Sequence, residues 1–140
     1  MPTYVFGSKV CVEQPNRSVA RGLLLDNNHL ATSGSYRNVR IINGERVSHL
    51  IDGQTGQPVT HNLVAATVLH DSTMLADAWS TAYMVLGAEQ AQAHALENQL
   101  AVQLTQLVRP LDASSGPGAA PEFSVWQSPM WKKLPEVAME

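Results

Sequence analysis

Between Asn62 and Leu69 the chain reads NLVAATVL, an apolar stretch that does not alternate with polar residues. A run this short and rich in β-branched residues reads as a strand buried within a sheet, since a strand with one wet face would alternate. The period then changes. Leu75, Ala78, Trp79, Ala82, Val85 and Leu86 recur at helical spacing and are expected to face a core. Ser72 or Asp71 can cap this helix by accepting hydrogen bonds from its first N–H groups, and Gly87 fits a stop. A second helix is expected from Ala88 to Asn98 (AEQAQAHALEN), all good helix formers. Ala101 to Arg109 alternates and reads as a strand, with continued helix as the alternative.

Before this block the signals are of strands. Tyr4 to Glu13 is rich in Val, Tyr and Phe and is bounded by Gln14-Pro15-Asn16. Arg21 to Leu25 and His29 to Thr32 flank Asp26-Asn27-Asn28, a candidate hairpin turn because Asp and Asn tolerate left-handed backbone. Asn38 to Ile42 leads into Asn43-Gly44, the strongest short hairpin signal, with Arg46 to Ile51 as the returning strand. Asp52-Gly53-Gln54-Thr55-Gly56 is a loop with two glycines. Asp112 to Pro121 is a further loop, Phe123 to Gln127 a last strand, and the end a tail. Strands, then helices, then strands predict an α+β class: an antiparallel or mixed sheet with two consecutive helices packed on it. One domain is expected over residues 1–134, with a tail at 135–140.

The 140 residues are 44% hydrophobic and 15% charged, a globular composition. The net charge of -3 offers no basic stripe for nucleic acid. A single cysteine, Cys11, excludes an internal disulfide framework and a cysteine-based zinc site, and it reads as a small buried hydrophobe. No apolar run approaches the roughly 18 residues of a membrane span, and no signal peptide is visible at the start.

Asp77 and Thr81 lie four apart on the expected helix and share one face. A carboxylate beside a hydroxyl suits a hard cation such as magnesium, which takes oxygen ligands and keeps room for substrate phosphates. On spacing alone the plainer reading is a solvated Asp near a helix N-terminus. His49, beside a glycine loop, has the chemistry of a proton shuttle near neutral pH. Small residues Thr32-Ser33-Gly34-Ser35 permit close approach of a phosphate to the backbone, as they permit an ordinary turn. His29, His61, His70 and His94 have no spacing of a ligand set.

In order, the chain carries ATSGSYRN (Ala31 to Asn38), SHLIDGQTGQPV (Ser48 to Val59), an apolar strand, and LADAWSTAYMVLG (Leu75 to Gly87). This resembles the C-terminal half of the FAD:protein FMN transferase family, the ApbE-type proteins. That family reads A-T-S-G-x-Y, then H-I-I-D-P-x-T-G-x-P, then A-D-A-x-[ST]-T-A, at about these separations. The resemblance runs from about Tyr4 to the end, with Phe123 to Leu134 similar to the family's closing strand.

The resemblance implies an enzyme that splits FAD, attaches FMN through a phosphoester to a Ser or Thr of a target flavoprotein, and releases AMP. It implies magnesium at Asp77 and Thr81. It implies that His49 moves a proton or places the phosphate, that Ser33 and Gly34 line the phosphate path, and that Thr55 and Gly56 shape the loop closing over it. The expected partners are FAD and a target flavoprotein; the expected compartment is the cell envelope, or the cytoplasm if no export signal precedes the chain. Three departures stand out. Gly53 replaces the family's usual proline, Ser35 replaces an acid that commonly follows the Ser-Gly pair, and the motifs are those of the C-terminal half alone. The alternative expectation is therefore a non-catalytic half-domain that binds a flavin or a protein, as a homodimer or paired with an N-terminal half.

Overall fold

The structure, a computed structural model, describes residues 8–12, 21–35, 40–43, 45–109 and 116–137. At its centre is the apolar run. β6 (Leu63–His70) is buried at every position but its last, so both its faces are covered. It pairs antiparallel with β3 (His29–Gly34) on one side and with β7 (Ala101–Arg109) on the other. β7 pairs in turn with β8 (Glu122–Gln127), giving a four-stranded sheet of order β3-β6-β7-β8. The period-2 geometry of a strand then sends alternate residues to two different cores.

Ala66, Val68, Val102 and Leu104 meet one face, where Tyr83, Met84, Ala91 and Ala95 complete a buried cluster. These last four come from α1 (Thr73–Leu86) and α2 (Ala88–Glu97), so the two helices form the covering layer. Leu69 and Ala101 point to the other face. There they meet Val12 of β1 (Ser8–Val12), Leu23 and Leu25 of β2 (Arg21–Leu25), and Trp131 of α3 (Pro129–Lys132). A three-stranded sheet of order β1-β2-β9, closed by β9 (Glu136–Val137), thus lies behind the main sheet. β4 (Arg40–Ile42) and β5 (Glu45–Val47) form a separate antiparallel hairpin. The class is α+β, as the order of elements predicts.

Four local expectations change. Asp26 to Asn28 does not close a hairpin: β2 pairs with β1 and β9, whereas β3 pairs with β6. Of the three turn residues only Asn27 is left-handed (φ 52°). The segment instead carries the chain from one sheet to the other. The strand expected to return as far as Ile51 stops at Val47, because the Leu50 N–H donates to the Ser48 hydroxyl rather than to a ladder. Cys11 is exposed, not buried; it alternates with Val10 and Val12, and Val12 takes the inward position. In the stretch expected as a tail, Glu136 and Val137 pair with Leu23 and Gly22. The turn expected at Gln14-Pro15-Asn16 and the start of the loop from Asp112 lie outside the described residues.

The largest difference concerns α1. Its buried residues are Ala76, Ser80, Tyr83 and Met84. Leu75 and Leu86, expected inside, are 38% and 40% exposed, and Ala78 is also exposed. The helix lies directly on β3 and β6, and such a close approach favours small side chains at Ala76 and Ser80.

Ser128 joins the last strand to the core. Its hydroxyl donates to Leu100 O at 2.7 Å and accepts from Val102 N at 2.9 Å, and the residue is 1% exposed. Ser128→Ala would orphan a buried donor and a buried acceptor, each costing about 1–3 kcal/mol. Urea unfolding is expected to show a loss of about 2–4 kcal/mol; a loss under about 0.5 kcal/mol would contradict this assignment.

Candidate functional site

Two segments of the sequence meet where α1 crosses β3. Ser72 caps the helix, its hydroxyl accepting from Leu75 N, and its own N–H donates to His70 Nδ1. His70 ends β6 and pairs with His29, the first residue of β3. From that shared end, β3 and α1 run in the same direction. The four steps along the strand from His29 to Ser33 cover about 13 Å. Eight helical residues, Ser72 to Ser80, cover about 12 Å. Ser33 therefore arrives opposite Ser80 and Thr81: its Oγ lies 2.9 Å from Ser80 Oγ and 3.1 Å from Thr81 Oγ1.

Ser80 is fully buried and also donates to Asp77 O at 2.9 Å. Thr81 is exposed, and the exposed Asp77 stands one helical turn before it on the same edge. Gly34 follows Ser33 at the exposed end of β3, and Ser35 beyond it is buried, its N–H donating to Val64 O. The structure thus brings Ser33, Gly34, Asp77 and Thr81 to one place. Ser80 belongs to it as well; it fills the Ser/Thr position of the A-D-A-x-[ST]-T-A pattern but was not among the site residues expected from the sequence.

The second expected segment forms its own loop. Gly56 N donates to Asp52 O at 2.8 Å, Gln54 N to the Asp52 carboxylate at 2.8 Å, and Asp52 N to Gln57 O. Gln57 N donates to Thr55 Oγ1, and Gly56 takes φ 68°. Ile51 bridges Pro58 at the base, and Leu50 packs against the helix-side core, so the loop is anchored to the same cluster as α1. His49, beside Leu50, is exposed. Among the described residues no hydrogen bond joins His49, Thr55 or Gly56 to Ser33, Asp77 or Thr81.

His61 and His94 hold structure. His61 accepts from Leu63 N and lies 3.3 Å from Val85 O, and its ring fills the space beside Gly87. His94 lies against Trp79, ring centroids 4.1 Å apart, and its Nδ1 shares a 2.7 Å hydrogen bond with the Tyr83 hydroxyl. Burial pushes the Tyr83 hydroxyl up to about 12, so it stays protonated. An open cleft of about 370 Å³ lies at the far end of β6, beside His70 and Asp71, away from Ser33. Among the described residues no three His, Cys, Asp or Glu side chains converge, and no helix is long and apolar enough to cross a membrane.

Fold and site together define an antiparallel α+β protein in which a helix laid on a sheet offers a carboxylate and a hydroxyl along one edge. Residues 5–104 match the ApbE family, and the chain belongs to that family. It is 41% identical over 127 residues to the FAD:protein FMN transferase of Klebsiella pneumoniae, a match covering 89% of this chain and 33% of that protein. To the FAD:protein FMN transferase of Escherichia coli it is 37% identical over 129 residues, covering 90% and 34%. Among solved structures it is similar to the Pseudomonas stutzeri flavinyl transferase ApbE in its apo form, with a TM-score of 0.73 and 34% identity over 91% of this chain and 36% of that one. The flavin transferase ApbE from Vibrio cholerae gives a TM-score of 0.70 and 30% identity, covering 91% and 38%. The chain therefore spans about a third of the length of the curated relatives it matches.

Proposed function

We propose that this chain supplies the cation-holding part of a flavin-transfer site, which moves FMN from FAD to a Ser or Thr hydroxyl of a target flavoprotein and releases AMP. The observation that carries the reading is the meeting of two separated motifs: Ser33 of ATSG and Thr81 of ADAWSTA lie 3.1 Å apart, with Asp77 on the same helix edge.

Asp77 and Thr81 fit magnesium as its protein ligands. Both offer hard oxygen, both are exposed, and magnesium is commonly held by one or two protein oxygens while keeping waters and substrate phosphates. When bound, the cation supplies positive charge that neutralises a pyrophosphate and makes it open to attack by an alkoxide. The chain's residues do the rest. Asp77 and Thr81 fix the position of the phosphates. Ser33 and Gly34 close the site on the side of β3, where glycine leaves room for a close approach. The loop carrying Thr55 and Gly56 flanks the nucleotide. His49, exposed beside that loop, takes the proton that the target hydroxyl gives up as its oxygen attacks phosphorus and AMP departs. We place this reaction in the cell envelope on the family resemblance alone.

Isothermal titration of FAD into the purified chain, once with magnesium and once with EDTA, tests this. The expected result is binding that requires magnesium. Equal binding in EDTA would overturn the cation assignment, and no binding in either condition would favour a non-catalytic half-domain.

A further inference from the structure

We propose that Ser33 and Ser80 form a one-way hydroxyl relay that holds Thr81 as a pure acceptor beside Asp77, which makes both serines positioning residues of the site. The inference rests on the cation reading above, but it is carried by proton counting at three contacts.

Each hydroxyl has one hydrogen to give. Ser80 Oγ lies 2.9 Å from Asp77 O, and a carbonyl oxygen can only accept, so the Ser80 hydrogen is spent there. At the 2.9 Å contact between Ser80 and Ser33 the donor must then be Ser33. The Ser33 hydrogen is thereby spent as well. At the 3.1 Å contact between Ser33 and Thr81 the donor must be Thr81. The chain runs from Thr81 to Ser33 to Ser80 to the Asp77 carbonyl, and it has one direction only.

Two chemical consequences follow. Thr81 Oγ1 has no hydrogen left for a phosphate oxygen, so it faces outward with lone pairs alone. Such an oxygen suits a cation and cannot donate to a phosphate. The Ser33 hydroxyl is likewise engaged, so its part in the site is to orient Thr81. The far end of the relay is fixed, because Ser80 is fully buried and returns to the backbone of the residue that carries the carboxylate. The relay thus ties the Thr81 rotamer to the turn of helix that presents Asp77.

The experiment uses the full chain in four forms besides wild type: Ser33→Ala, Ser33→Thr, Ser80→Ala and Asp77→Asn. Two readouts are taken. The first is the side-chain coupling constants of Thr81 by NMR, which report its χ1 rotamer without any metal. The second is Mn²⁺ affinity, measured with the metal alone by water-proton relaxation. Wild type and Ser33→Thr are expected to show one Thr81 rotamer, and Ser33→Ala and Ser80→Ala an averaged one; Ser33→Ala should leave thermal stability little changed, whereas Ser80→Ala, which removes a fully buried hydroxyl bonded at both ends, should lower it. Groups that orient a metal ligand typically change affinity 10–100-fold, so the two alanine variants should bind Mn²⁺ about 10-fold more weakly, with Ser33→Thr restoring the affinity. An unchanged Thr81 rotamer in both alanine variants would overturn the relay. Mn²⁺ affinity unchanged by Asp77→Asn would instead overturn the cation reading, and the rotamer measurement would still decide the relay by itself.

Discussion

Replacing Asp77 by Asn is expected to abolish magnesium-dependent binding of FAD. Among the described residues Asp77 is the only carboxylate-bearing residue in the cluster with Ser33, Ser80 and Thr81, and the substitution keeps its size while removing its charge. Magnesium sheds water reluctantly and needs anionic oxygen to hold it, so a neutral amide beside one hydroxyl offers little. Loss of an orienting partner alone weakens metal sites 10–100-fold, and loss of the charged ligand should cost about 100-fold or more. The structural cost is small. The Asp77 side chain is exposed, and its backbone carbonyl, which accepts from Ser80, remains. Titration of FAD in saturating magnesium, with a melting curve as control, reads both. Binding within about threefold of wild type would remove Asp77 from the site.

Tyr83→Ala is expected to have the largest effect on stability. Tyr83 is fully buried between α1, α2 and the sheet, and its hydroxyl is hydrogen-bonded to His94 Nδ1. Truncating a buried aromatic costs about 3–5 kcal/mol, and small domains have only about 5–15 kcal/mol in total. Urea unfolding should show most of the stability gone, and a loss below about 1 kcal/mol would contradict the packing described. Tyr83→Phe separates the hydroxyl from the ring. Burial raises the Tyr83 hydroxyl from 10.0 to about 12. Between these pH values the unfolded chain has lost a proton that the folded chain keeps, so stability falls as pH rises from about 10 to 12. The same alkaline fall should be weaker in Tyr83→Phe, which has no proton to lose at that position.

How much of this was legible in the sequence depended on whether the signal was local. The apolar run of β6, the Ser72 cap and the Gly87 stop are local, and the structure follows them; β7 is the expected strand, although its first five residues are all buried and do not alternate. Pairing partners are not local. Asp26 to Asn28 looks like a hairpin turn in isolation, but β2 belongs to the sheet of β1 and β9, because Leu23 and Leu25 complete the core around Trp131. The face of α1 misled for a further reason. It has two apolar faces, and the larger residues of one of them, Leu75 and Leu86, lie outward. The buried face includes Ser80, a polar residue that pattern reading discounts and that the sheet tolerates because its hydroxyl is satisfied at both ends.

The site divides in the same way. Asp77, Thr81 and Ser33 could be picked out by motif, and the matched rise of a strand and a helix from a common end brings them together. Ser80 stands in the same motif, but its part in the site was not legible there, since it depends on the hydrogen bond to Ser33, which exists only once α1 lies on β3. His49, Thr55 and Gly56 share an anchored loop, but no described hydrogen bond carries that loop to Thr81.

The most direct test of the central claim is anomalous X-ray diffraction from crystals of this chain grown with Mn²⁺ and FAD. One manganese peak is expected within bonding distance of an Asp77 carboxylate oxygen and of Thr81 Oγ1, with the FAD pyrophosphate on its far side. FAD bound with no manganese at Asp77, or manganese held elsewhere on the chain, would contradict it.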